Sequence, residues 1–363
     1  MSIKIVDPYF QTALFSIIFL CLVLILVRKT GDGTFFSKEV TNQLKGFAIL
    51  AIVFSHISFF LFYDPKFLYP YNILAGVGVN IFLFLSGFGL TISHLRSPLS
   101  PLSFYKKRLS KLFIPLWIVI AIVLLIDFFA LRRTYPLSEI IHSFLGYYPR
   151  ADVSLNLDSP LWYFSLILFY YLIFPLTFIT KIPLLSPLFV LLISLLLLNT
   201  PLPVNPDVLK LYKLHFLAFP LGMVFGLTHN AILRRLTEGS NDILLRLRPL
   251  RMTILIIAII VFIYTAIHSG VGQNINAEQS ISLLTTLSLF VIFSLLKFNF
   301  KLLSIFGIYS YEVYLLHWPI LSRFNLFLGL PPFLGVLFSL GLIFLLGYGL
   351  QRLVEKITKH KNS

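Results

Sequence analysis

Eleven stretches of mostly apolar residues divide this chain, at 10–27, 44–63, 73–93, 112–131, 161–180, 184–198, 214–228, 252–267, 281–296, 302–322 and 332–350. Most approach the roughly 20 residues that an α-helix needs to cross a hydrocarbon layer about 30 Å thick. Inside such a layer every backbone N–H and C=O must be paired within the protein, so a lone apolar run has the helix as its solution. Side-chain composition agrees: 58% of the 363 residues are hydrophobic and 12% are charged, against about a quarter charged in soluble domains. The expected fold class is an all-α polytopic membrane protein with about 11 transmembrane helices. The first run is followed by "VRKTGDG" without a small-residue cleavage site, so it reads as a retained span and not a signal peptide.

Charge orients the expected bundle. The formal net charge is +15, from 29 Lys+Arg and 14 Asp+Glu. An N-terminus outside the membrane assigns 21 of the 29 cations to cytoplasmic segments and 8 to the other side, the asymmetry that the positive-inside rule demands. The expectation is therefore an integral protein of the plasma (inner) membrane, N-terminus outside and C-terminus cytoplasmic, with membrane lipid as a partner. The positive charge is thereby accounted for without nucleic acid. The stretch "SPLSPLSFYKKRLSKLF" alternates aromatic, basic and apolar residues as an interfacial helix does. Attraction to anionic headgroups is a sufficient explanation of it. The single cysteine, Cys21, excludes an intrachain disulfide. No metal-ligand spacing, phosphate-binding glycine loop or Gly-x-Ser-x-Gly elbow occurs.

The ionisable residues inside apolar runs carry the chemical information. In "LKGFAILAIVFSHI", Lys45 and His56 are eleven residues apart with nothing ionisable between them. On a helix that spacing returns to nearly the same face about 16 Å further along. This puts Lys45 at the cytoplasmic edge and His56 about at the midplane. A histidine at that depth either faces a cavity or hydrogen-bonds across helices. The next run, "GVGVNIFLFLSGFGLTISHLR", brings Asn80 and Ser86 among glycines; a buried amide such as that of Asn80 needs partners. Then come a basic turn with Arg108 and Lys111 ahead of Pro115, "SPLWYF" with Trp162 and Tyr163, and "SYEVYLLHW" with Glu312, Tyr314 and His317. Ser310, Tyr314 and His317 share a helical stripe from which Glu312 points away. For His317 a cavity role and a structural hydrogen bond both fit. Asp127, near the end of its run, is expected to be solvated, as are His94, His215, His229, His268 and His360.

In this order and spacing the motifs resemble the acyltransferase type 3 family, integral-membrane acyltransferases that act mostly on cell-surface carbohydrates. The resemblance runs from about 44 to 350, so residues 1–43 are expected to be an additional N-terminal helix with its linker and 351–363 a basic cytoplasmic tail. It is carried by Lys45 and His56, "LSGF" at 85–88, Arg108 and Lys111, Leu161–Tyr163, and Ser310, Tyr311, Tyr314 and His317. Lys45 and Lys111 stand where the family pattern has arginine, which keeps the charge and loses the bidentate fork.

The resemblance implies acyl transfer, most often of acetyl, from cytoplasmic acetyl-CoA or another acyl-CoA to a hydroxyl of a carbohydrate or glycolipid acceptor, with no metal. It assigns Lys45, Arg108 and Lys111 to the phosphates of the acyl-CoA. His56 becomes the general base, with Asn80 or Ser86 orienting it or donating to the oxyanion. Trp162, Tyr163, Glu312, Tyr314 and His317 fall to the acceptor side. The loop 132–160, with Tyr147, Tyr148, Arg150, Asp152 and Asp158, is a further candidate for acceptor selection. A carrier or flippase using His56 and Glu312 as proton relays is the alternative from another class, and a scaffold whose polar residues only pack is a third.

Overall fold

The computed structural model describes residues 5–29, 36–150, 160–238, 248–270, 274–296, 298–324, 326–327 and 329–360. Its elements begin where the sequence supplies caps. Asp7 accepts from the Phe10 N–H ahead of α1 (Pro8–Ile25), Ser37 from Val40 ahead of α2 (Lys38–His56), and Ser100 from Ser103 ahead of α4 (Pro101–Phe129). Proline at the first position of α1 and α4 adds a preset φ where no amide donor is needed. Between α2 and α4 lies α3 (Ala75–Arg96). The chain continues through α5 (Leu137–Leu145), α6 (Trp162–Thr177), α7 (Leu185–Leu198), α8 (Pro206–His215), α9 (Ala218–Glu238), α10 (Arg248–His268), α11 (Ile275–Leu295), α12 (Lys301–Ile308), α13 (Ser310–Arg323) and α14 (Pro332–His360).

Among the described residues, eight stretches are long and apolar enough to cross a membrane, and α6 and α7 are shorter apolar helices. Their outward faces carry exposed Leu, Ile and Phe, most densely on α10, as expected where the solvent is lipid. The protein is thus an all-α polytopic membrane protein, with five departures from the sequence expectation. The run 302–322 is divided at Tyr309 into α12 and α13. The run expected at 214–228 begins at Pro206. The basic segment before Pro115 is no separate interfacial element: it is the first part of α4, whose 29 residues extend about 43 Å. A two-stranded antiparallel ribbon, β1 (Val27–Lys29) on β2 (Phe298–Phe300), joins the chain after α1 to the chain before α12. The final helix also runs on through 351–360 without a break.

Two helix crossings are closer than any side chain permits. A Cβ on Gly46 would meet the Leu303 carbonyl and one on Gly307 the Asn42 carbonyl, so α2 and α12 touch backbone to backbone. Gly87 faces the Phe219 carbonyl and Gly222 the Phe84 carbonyl, which joins α3 to α9 in the same way. These crossings hold α2 and α3, the two helices that carry His56 and Asn80, in the middle of the bundle. The additional helix α1 packs Phe15 and Phe19 against Phe54 and Tyr71.

Asp127 is not solvated: it is 0% exposed. Arg323 grips it in bidentate fashion, Nε to Oδ1 and Nη2 to Oδ2 at 2.7 Å each, and the Tyr135 hydroxyl donates to Oδ2 at 2.7 Å. This clamp ties α4 to α13 at the end of the bundle away from the basic rim. Burial, together with the carboxylate it donates to, pushes Tyr135 up to about 12.

Two outcomes follow for stability. Gly87→Ala gains about 1 kcal/mol of helix propensity but forces a methyl into the Phe219 carbonyl. Overpacking of that kind costs about 1–3 kcal/mol, so a lower thermal midpoint of the detergent-solubilised protein is expected. Asp127→Ala takes the carboxylate away from a buried guanidinium and is expected to cost about 3–5 kcal/mol. The contribution of Tyr135 is full below its unfolded pKa of about 10 and is lost as pH rises through about 12. The difference in midpoint between the wild type and Tyr135→Phe should therefore stay constant up to pH about 9 and shrink above it.

Candidate active site

The last α-helical residue of α2 is His56, and the next turn, Ile57–Phe62, widens to π geometry, a distortion that often marks functional sites. Hydrogen bonds of its loop hold the widened turn. Ser58 donates to the Asp64 carbonyl at 2.8 Å, and the Asn72 amide donates to Ser58 Oγ at 2.8 Å. Because α2 starts at Lys38, its continuous stretch runs to Phe62 and centres near Leu50. His56 therefore lies past the middle, and Lys45 two turns inside the helix instead of at its edge.

His56 meets His317 of α13, Nδ1 to Nε2, at 2.7 Å. The ring centroids are 5.0 Å apart and the planes differ by 11°. A nitrogen separation so much shorter than the centroid separation means the rings meet edge to edge in nearly one plane, not face to face. The other nitrogen of His317, Nδ1, lies 2.7 Å from the Tyr314 carbonyl. A carbonyl only accepts, so Nδ1 of His317 carries the proton and its Nε2 is a lone pair when the ring is neutral. That lone pair accepts from His56 Nδ1–H, which leaves the lone pair of His56 on Nε2. His317 is fully buried, whereas the exposed part of His56 borders a cavity of about 460 Å³. Trp318 and Phe60 set their rings against His56 at 5.7 and 5.5 Å.

The cavity is bordered by His56, Trp162, Tyr163 and Tyr314, and opens past Asp207, Lys210 and Glu278. Trp162 and Tyr163 enter from the first turn of α6. The Tyr163 ring stands edge-on to Tyr314 at 5.5 Å. Of the residues expected on the acceptor side, these three and the His56–His317 pair come together. Glu312 does not border the cavity: five residues before His317 on α13, it is buried within electrostatic range of Lys45 and Glu355. The expected orienting group for His56, Asn80 or Ser86, is also different. Asn80 is bonded to His215 and Ser282, Ser86 lies beside Tyr163 and Tyr171, and the His56 ring is bonded to His317.

The cations form a second cluster. Arg108 of α4 is within electrostatic range of Lys45, Lys111 and Tyr171. Its Nε is buried and has no hydrogen-bond partner. A charged donor left unpaired in a protein interior is costly, and an anionic ligand would satisfy it. Among the described residues bordering the His56 cavity, none belongs to this cluster. What links the two is a run of hydroxyls: Tyr171 near Arg108, Ser86 beside both Tyr171 and Tyr163, and Tyr163 against Tyr314 at the cavity wall.

Reading by sequence missed His215. Expected at a solvated helix end, it is 1% exposed, bonded to Asn80 and stacked on Trp162. Had the helix been started at Pro206, its depth would have been apparent. His229 is likewise buried, packed among Phe36, Phe88 and Phe225. In the 132–160 loop, Tyr148 is buried and its hydroxyl donates to the Ser143 carbonyl, and Tyr147 donates to the Pro203 carbonyl; Asp152 and Asp158 lie outside the described residues.

Compared with known proteins, residues 41–352 match a family model described as an acyltransferase domain. No curated protein and no solved structure matches the chain.

Proposed function

The chain belongs to this acyltransferase family, and we propose that it moves an acyl group, acetyl in the first instance, from a cytoplasmic acyl-CoA to a hydroxyl of a carbohydrate-containing acceptor. The observation that carries the reading is the His317–His56 pair, which presents an oriented, uncharged imidazole nitrogen to a cavity.

In this reading His56 Nε2 removes the acceptor's hydroxyl proton as its oxygen attacks the thioester carbonyl. A tetrahedral oxyanion forms and collapses, the carbon–sulfur bond breaks, and His56 returns the proton to the departing thiolate. The products are an ester and free CoA, and no proton is gained or lost. His317 holds the reactive tautomer and accepts from the imidazolium while it exists, the part a carboxylate plays in other base dyads. Tyr163 at the cavity wall is the better candidate for the oxyanion, since Asn80 has its oxygen and one N–H engaged and the single O–H of Tyr314 is directed to the Pro160 carbonyl.

The donor's phosphates are assigned to the Arg108, Lys45 and Lys111 cluster, which the unpaired Arg108 Nε supports. Lys45 and His56 are about 16 Å apart along one helix. The pantetheine arm would cover that distance along Tyr171, Ser86 and Tyr163. The acceptor would enter from the other end, past Asp207 and Glu278. This assigns the basic rim to the cytoplasm, in keeping with the distribution of positive charge. A proton-coupled carrier running through His56 and Glu312 finds no comparable support, because Glu312 is not among the described residues that border the cavity of His56.

Acyl transfer from labelled acetyl-CoA by the protein in lipid nanodiscs tests the mechanism. His56→Ala is expected to lower the rate by about 10²–10⁴-fold. His317→Gln, which offers a carbonyl oxygen near the position of Nε2, should retain clearly more activity than His317→Ala. Equal activity in those two variants would contradict the orienting role. Arg108→Ala removes a charge-assisted contact of about 1.5–3 kcal/mol. It should raise the KM for acetyl-CoA at least tenfold with kcat little changed, and a fall in kcat alone would refute phosphate binding there.

A further inference from the structure

The transfer chemistry leaves one buried imidazole of the cavity unused, and its setting repeats that of His56. The Ser282 hydroxyl donates to the Gln279 carbonyl at 3.3 Å and accepts from Asn80 Nδ2 at 2.8 Å. With its NH₂ engaged there, Asn80 turns Oδ1 to His215 Nδ1 at 2.8 Å. That oxygen only accepts, so His215 is the Nδ1–H tautomer and its lone pair lies on Nε2. The ring is held nearly parallel to Trp162, with centroids 5.8 Å apart and planes 18° apart. Both rings border the cavity that His56 borders. One turn before Asn80, Gly76 lies against the imidazole: a Cβ there would be in ordinary van der Waals contact with His215 Cε1, at 3.6 Å.

Two carboxylates add acceptors to the same cavity. Asp207 and Glu278 are acceptors, and Glu278 already receives the Gly270 N–H at 2.7 Å. Lys210 is the one cation among the described lining residues. The acceptors His56 Nε2, His215 Nε2, Asp207 and Glu278 favour a ligand that brings several donors. Hydroxyl groups supply them without bringing a negative charge against the two carboxylates.

We propose that His215 is a specificity-determining residue of the acceptor subsite. Its Nε2 accepts a hydrogen bond from a second hydroxyl of a polyhydroxylated acceptor, while His56 Nε2 takes the proton of the hydroxyl that is acylated. The inference rests on the acyl-transfer reading above and adds to it the requirement for at least two hydroxyls. An acceptor lacking the second hydroxyl would leave a buried lone pair unsatisfied, the circumstance in which enzymes discriminate best against a missing group.

The test follows CoA release from acetyl-CoA by the full-length protein in nanodiscs, with methyl hexopyranosides and their single-deoxy analogues as acceptors. For the wild type, removal of one hydroxyl other than the acylated one is expected to lower kcat/KM about tenfold. His215→Asn keeps an N–H near Asn80 Oδ1 and deletes the Nε2 acceptor, so it should treat parent and deoxy sugar alike. The proposal is overturned if the wild type is indifferent to every deletion, a comparison that needs no variant to fold. It is equally overturned if His215→Asn keeps the wild-type preference. Absence of any CoA release with all sugars would instead contradict the acyl-transfer reading itself.

Discussion

Two imidazoles share a hydrogen bond 2.7 Å long, and the second of them is tied to a main-chain carbonyl one turn earlier on its own helix. An isolated neutral histidine exchanges its proton between two nitrogens, and either can face a substrate. Here the Tyr314 carbonyl fixes the tautomer of His317, and His317 fixes that of His56. The same bond links α2 to α13, so the chemistry of the site and the packing of the two helices are one constraint. No carboxylate is needed for the orientation, which suits a site inside an apolar bundle where a charged orienting group would have to be desolvated.

The rest of the bundle keeps this pair in place and gives it two distinct sides. Backbone contact at Gly46 and Gly307, and at Gly87 and Gly222, locks α2 and α3 between α12 and α9. The Asp127–Arg323 clamp closes the end nearer His317. On one side is the cavity with its acceptor groups; on the other is the cation cluster around Arg108, joined to the cavity wall by buried tyrosine and serine side chains. The proposed reaction between an anionic, CoA-like donor and a neutral, hydroxyl-rich acceptor would use both sides and mix neither.

Much of this was legible in the sequence. Apolar length announced the membrane helices, although α4 opens at Pro101, well before the run expected at 112–131. The Lys45–His56 spacing pointed to one helical face with a cation near one end and an imidazole deep inside. Depth was harder to read. The segments "KEVTNQ" and "PDVLKLYKLH" are polar enough to pass for loops, yet Ser37 caps the first and Pro206 opens the second. Both helices therefore begin earlier than hydropathy indicates, and this error displaced Lys45, His56 and His215 relative to the bundle. Pairings were harder still. His56 and His317 are 261 residues apart, and Asp127 and Arg323 are 196 apart. Taken singly, Asp127 looked like a charge at the end of a span. A spacing within one helix carries no information about a partner on another.

A structure of the protein in lipid with a non-hydrolysable thioether analogue of acetyl-CoA tests the central claim most directly. The account predicts phosphates on Arg108 and Lys45, the arm lying along Tyr171, Ser86 and Tyr163, and the acyl carbonyl within reach of His56 Nε2. An analogue whose phosphates sit at the Asp207 and Glu278 end, or whose acyl group stops short of the His56–His317 pair, would contradict it.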